Sequence, residues 1–194
     1  MHVDLASRSA HHRKYGTTFA DSWTTRDGTT FVAVGAVIGG GDRIAVSDLL
    51  RTGARAIVGS HAAFANAITA LDRVVAHHAA ERRDDELAAA LELHAFPAGD
   101  DSVQVAGAGN VHAYAFDALG VRHALPGRHA ALGTGLPHHD DDALSSVVRV
   151  HRDDVVIAST VPVDDAWWTA GKRTADAQLQ RSTGAEASVA VITS

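Results

Sequence analysis

The segment Thr29-Thr30-Phe31-Val32-Ala33-Val34 runs on to Gly39-Gly40-Gly41-Asp42, and there the period of the chain changes. Before the glycines, aromatic and β-branched residues follow one another without a polar break, which is the signature of a buried strand. After them, Ile44, Leu49, Leu50, Ala54, Ile57 and Val58 recur at helical spacing, and Phe64, Ala67, Ile68, Leu71, Val74 and Val75 repeat the pattern. Two helices are therefore expected, divided near Gly59-Ser60. The charged run Glu81 to Glu86 closes the second one.

Upstream, Val3 to Ser9 and Phe19 to Thr25 are β-compatible, and Asp27-Gly28 supplies the positive φ of a hairpin turn. Downstream, Ala88 to Phe96, Ser102 to Ala106, Val111 to Phe116 and Val121 to Leu125 are separated by turn residues and read as an antiparallel meander. A loop rich in Gly, Pro, His and Asp (Pro126 to Asp142) precedes strands at Val147 to His151 and Val155 to Ser159, with Arg152-Asp153-Asp154 between them. A helix from about Asp164 to Arg181 and a strand from Ala187 to Thr193 end the chain. This order, without βαβ repeats, predicts an α+β fold in one domain spanning 1–194: a four-layer α/β/β/α sandwich of two antiparallel sheets flanked by helices. Val34, Ala106, Val156 and Val191 are expected on central strands, and Leu50, Ile57, Ile68 and Leu71 over the outside of a sheet.

Composition excludes several function classes. The 194 residues contain no cysteine, which removes disulfides, thiolate nucleophiles and zinc-thiolate sites, so any metal must take oxygen or imidazole ligands. Seventeen basic against 23 acidic residues give a formal charge of −6, and the short basic stretches Arg82-Arg83 and His11-His12-Arg13-Lys14 make no nucleic-acid footprint. No apolar run approaches the length of a membrane span, and Met1-His2-Val3-Asp4 does not open a signal peptide, so a cytoplasmic location is expected.

Four pieces fall in register with one family. Phe31 to Val34 running into Gly39-Gly40 resembles a Val-Ala-Asp-Gly-x-Gly-Gly segment. Val103 to Phe116, with Ala108-Gly109-Asn110-Val111, resembles a strand, a Gly-Asp or Gly-Asn turn and a strand. Asp153 to Pro162 resembles a strand ending in Ser-Asp-Gly, and Gly184 to Ile192 a terminal Asp-Asn-x-Thr strand. Together they resemble the PPM-type (2C-like) metal-dependent serine/threonine phosphatases, above all the short bacterial members that regulate sigma-factor and sporulation switches.

The resemblance implies two manganese or magnesium ions held by aspartates and bridged by the attacking water. It places Asp21 at the first acidic motif. The other ligand positions read Ala36-Val37, Thr160-Val161 and Ala187-Ser188, and the phosphate-binding arginine is replaced by Gly16, with Arg13 nearby. Phosphate-monoester hydrolysis demands accelerations of up to about 10²¹-fold, and metal binding lowers the pKa of water from 15.7 to about 7. One carboxylate supplies neither the clamp nor the nucleophile. The expectation is a pseudophosphatase without cofactor that binds a protein partner. Alternatives are an active Mn- or Mg-dependent phosphatase with relocated ligands, and a structural subunit of a larger assembly.

Other constellations have plainer readings. His138-His139-Asp140-Asp141-Asp142 is a solvated acidic loop or an adventitious Zn, Ni or Ca site. Glu186 precedes the last ligand position by one residue, an offset that turns a strand side chain to the other face unless a bulge intervenes. Gly39 to Asp42 form a strand-to-helix turn, His77-His78 do not share a helix face, and Asp84-Asp85, Asp100-Asp101 and Asp153-Asp154 are turn or helix-end residues. Of Trp167-Trp168, one ring is expected in the core and an exposed second one would suit a partner contact. No Gly-x-Ser-x-Gly elbow supports a serine hydrolase.

Overall fold

Strands whose two faces are both covered need apolar residues on both, and that is how most strands of this chain are written. The computed structural model describes residues 1–9, 17–39, 42–58, 64–125, 130–133, 145–151, 153–169, 171, 173–183 and 185–193. Among them lie β1 (His2–Arg8), β2 (Thr18–Thr24), β3 (Thr30–Ile38), β4 (Ala88–Phe96), β5 (Ser102–Ala108), β6 (His112–Phe116), β7 (Arg122–Ala124), β8 (Ser145–Arg149), β9 (Val155–Ser159) and β10 (Ala187–Thr193). The helices are α1 (Arg43–Val58), α2 (Phe64–Arg82), α3 (Asp165–Thr169) and α4 (Ala175–Arg181).

Two five-stranded antiparallel sheets result, in the orders β1-β10-β9-β6-β7 and β2-β3-β4-β5-β8. Strand alternation divides the apolar residues among three cores. On β3, Phe31, Ala33 and Val37 meet α1 and α2, with Leu50, Ile68 and Leu71 on the helix side and Ile57 packed against them. Val32 and Val34 face the other way, into a core between the sheets that includes Ala90, Val105, Val156, Ala190 and Ile192. Ala187, Val189 and Val191 of β10 meet Trp167, Ala175 and Leu179 of α3 and α4 in the third. Val34, Ala106, Val156 and Val191 all lie on interior strands, and the sandwich has the four layers its sequence predicts.

Three local expectations are corrected. The run from Ala88 to Leu125 is no single meander: β4 and β5 belong to one sheet, β6 and β7 to the other. The chain changes sheets at Gly109, whose φ of +81° and contact with Ala90, 2.7 Å from where a Cβ would stand, leave no room for a side chain. Strands β8 and β9 likewise pair in different sheets, β8 with β5 and β9 with β10 and β6, so Asp153-Asp154 turns a corner between layers. The expected helix from Asp164 to Arg181 is two. Gly171 adopts φ +75° after α3, and Thr174 starts α4 afresh by accepting the Ala177 N–H at 3.2 Å. The Asp4 carboxylate of β1 accepts the Ala175 N–H at 2.9 Å and fixes the helix on its sheet. Among the described residues no helix is long and apolar enough to cross a membrane.

Candidate functional site between the two sheets

At one end of the sandwich the first turns of β2 and β10 come together. Sheet alternation decides what points into the gap. On β10, Ala190 and Ile192 face the opposite sheet, so Ser188 does too. On β3, Ala36 shares the face of Val32 and Val34 and pairs with Thr18 across the rung. Ser188 Oγ donates to Thr18 Oγ1 at 2.9 Å and lies 2.8 Å from Ser7 Oγ, so hydroxyls stitch one sheet to the other. Thr160 Oγ1 accepts the Ser188 N–H at 3.0 Å. Glu186, one step before β10, reaches across to Thr17. Its Oε2 accepts the Thr17 N–H at 2.9 Å and also the Thr17 hydroxyl.

Asp21 is elsewhere. Phe19 of β2 packs under the helices and Trp23 joins them, and Asp21 shares their face. Arg55 of α1 grips it with a two-pronged contact, Nε to Oδ2 and Nη2 to Oδ1, both 2.8 Å, while the same guanidinium lies 5.6 Å from the Trp23 ring centre. The cross-strand partner of Asp21 is Ala33, three rungs from the Thr18–Ala36 pair, or about 10 Å along the strand. Val37 is buried beneath α1, and Ala187 is buried against α3 and α4. Of the five positions singled out from the sequence, only Ala36 and Thr160 stand at the gap. Asp21 and Ala187 each point to the outer face of their own sheet. Gly16, Arg13 and His138 to Asp142 lie outside the described residues.

No protein-family model and no curated protein sequence matches the chain. Solved structures do match. A serine/threonine phosphatase from S. agalactiae superposes with a TM-score of 0.77 over 99% of this chain and 98% of its own, at 12% identity. RsbX, solved in complex with magnesium, gives 0.74 over 97% and 92% at 10% identity. The chain has the PPM-phosphatase fold. A protein of the bacterial stressosome, a modular system adapted to control secondary-messenger signalling, adds 0.71 over 98% of both chains at 16% identity.

A PPM-type pair of divalent cations needs several hard oxygen ligands, carboxylates chief among them. In the gap of this chain the described positions are Thr18, Ala36, Thr160 and Ser188, with Glu186 as a carboxylate and Thr17 already upon it. Among the described residues no group of three or more His, Asp or Glu is placed to hold an ion. Among the described residues, this set of hydroxyls and one engaged carboxylate falls short of the ligands two divalent cations take. Because Asp21 acts as an anchor for α1, Asp21→Asn is expected to lower stability by no more than about 1 kcal/mol, since Arg55 is half exposed and screened. Chemical denaturation of the two proteins checks this, and a loss several-fold larger would show that the pair is more than a surface clamp.

One layer beneath Ala36 and Ala90, the sheet carries a feature not recognised in the sequence. Glu92 and His94 of β4 both face the inter-sheet core, 2% and 1% exposed, with Nε2 and Oε1 2.6 Å apart. The signal was there: Glu-x-His inside Leu91-Glu92-Leu93-His94-Ala95 puts both groups on one face of a strand. Such a face is ordinarily wet, and here a second sheet covers it.

His112, at the start of β6, has its pKa held below 6.5 by burial, partly offset by the negative charge of Glu92. The unfolded chain therefore binds this proton more readily than the folded one. The stabilisation is complete above about pH 6.5 and is lost as the pH falls through the lower folded value. Thermal melts from pH 7.5 to 5 should show a decline that is shallower in His112→Gln, and identical slopes would remove His112 from the account.

Proposed function

We propose that this chain is a non-catalytic PPM-like module that works by binding another protein. The observation that carries the reading is the Asp21–Arg55 clamp: the carboxylate that sequence alignment sets at the metal site has both oxygens engaged on the far side of its sheet. The gap itself supports the same reading, since Ser7, Thr18 and Ser188 satisfy one another's hydroxyls and Glu186 is held by Thr17. Hydroxyls neither neutralise two divalent cations nor lower the pKa of a water as metals do. The structural neighbours lend support to a regulatory setting, one of them being a stressosome protein.

Calorimetric titration of the full chain with Mn²⁺ and Mg²⁺, followed by an assay on an aryl phosphate, tests the proposal. Neither binding at micromolar concentration nor turnover is expected, and a chelator should leave the melting temperature unchanged. Stoichiometric binding of two cations with turnover would overturn it.

A further inference from the structure

Strand β5 leaves its sheet at Gly109, and beside the first residues of β4 segment 130–133 takes its place. Leu132 and Ala89 exchange both backbone bonds, at 2.8 and 3.1 Å, and the Gly109 N–H donates to the Ala130 carbonyl at 2.8 Å. The Leu132 side chain is fully buried in the core beneath the helices. Gly133 follows at φ +87°, with Val75 Cγ1 2.7 Å from where a Cβ would stand. Its N–H donates to Asp72 Oδ1 of α2 at 2.7 Å. This strap lies at the same end of the sandwich as the gap, because Ala89 is followed by Ala90, the cross-strand partner of Ala36.

Asp72 is 2% exposed and forms no ion pair among the described residues, where its hydrogen bond is the one from Gly133. A carboxylate taken out of water needs a counter-charge or several donors, and one backbone N–H falls short of that. Thr69 Oγ1, one turn earlier on the same helix face, is also buried and has no hydrogen-bond partner among the described residues. The seated strap therefore stands against two polar groups that are short of partners. Lifting it loses the burial of Leu132 and one rung on β4, but hydration of the carboxylate offsets part of that loss. The segment forms no strand of either five-stranded sheet, so both sheets keep their order without it. Such a unit opens at a free energy well below that of global unfolding.

We infer that segment 130–133 is a strap that opens locally while the sandwich stays folded, and that Asp72 is the positioning residue that sets its open fraction. Closed, the strap completes the sheet beside the gap. Open, it leaves the Ala89 rung of β4 unpaired at that end, so α2 has a hold on the wall next to the gap. The inference goes beyond the protein-binding reading and does not depend on it.

Amide hydrogen exchange of the full chain tests it. Ala89, Leu132 and Gly133 should exchange together, about 100-fold or more faster than Val34 of the interior strand β3. Their rate should hardly respond to low urea, since a small opening exposes little surface. Asp72→Asn keeps an oxygen for the Gly133 N–H and removes the charge, so it should slow these three amides by about tenfold. Val34 should slow by the same factor, because Asp72 is hydrated in the globally unfolded chain as well. Gly133→Ala should speed the strap amides by about tenfold or more through its overlap with Val75. One common rate and one urea dependence for Leu132 and Val34 would place the strap in the global unit and overturn the inference. Faster exchange in Asp72→Asn would make the carboxylate a plain anchor, and a slower Val34 with unaltered strap amides would detach Asp72 from the opening; either result overturns it too.

Discussion

His94→Ala is expected to destabilise the protein by about 3–5 kcal/mol, because it leaves the Glu92 carboxylate buried without its partner. Both side chains are sealed between the sheets, so no water replaces the lost contact. Glu92→Ala should cost a similar amount in the other direction, stranding the imidazole. Replacing both, as Glu92→Met with His94→Phe, should restore stability to within about 1 kcal/mol of the natural chain or exceed it, since apolar groups of like volume need no partners. That asymmetry is strengthened by His94 Nδ1, which is buried and has no hydrogen-bond partner among the described residues. Urea unfolding of the two single variants and the double one makes a complete cycle. A double variant as unstable as the sum of the single ones would show that volume, and not charge, governs this site.

Trp167→Ala should cost about 3–5 kcal/mol through the cavity left by a side chain with no exposed surface. The indole does two jobs. Its ring meets Phe116 edge-on at 5.7 Å, joining α3 to the sheet, and its Nε1 donates to the Thr174 carbonyl at 3.0 Å, joining α3 to the start of α4. Trp167→Phe keeps most of the apolar contact and forfeits the hydrogen bond, so a loss of about 1–2 kcal/mol is expected. Circular dichroism during denaturation separates the two variants without relying on tryptophan emission. Equal losses would mean that the hydrogen bond, and not the packing, holds the helix pair on its sheet.

Much of the architecture was legible along the chain. The change of period at Gly39 to Asp42 marks the passage from β3 to α1, and the unbroken apolar character of Phe31 to Val34 announces a strand covered on both faces. The helix pair was legible for the same reason, since Leu50, Ile68 and Leu71 recur at the spacing that puts them under one roof. The break between α3 and α4 went unread although its signals are local: Gly171, which adopts a left-handed conformation, and Thr174, which caps a fresh helix, lie in the polar stretch Gly171-Lys172-Arg173-Thr174. Pairing partners were not legible: a turn such as Asp153-Asp154 looks the same whether it joins neighbours in one sheet or carries the chain to another.

The candidate site divides along the same line. By itself the sequence determined that no cysteine chemistry is possible and that positions 36 and 160 carry no carboxylate, and it led to the expectation that one ring of Trp167-Trp168 enters the core, as Trp167 does. Only the tertiary structure decided that Asp21 turns to Arg55, that Ala187 packs under α4, that Ser188 and Glu186 face Thr18 and Thr17, and that Glu92 and His94 are sealed inside. The physical reason is that a strand fixes which residues share a face, but when both faces are buried nothing local tells which of them meets a helix and which the other sheet.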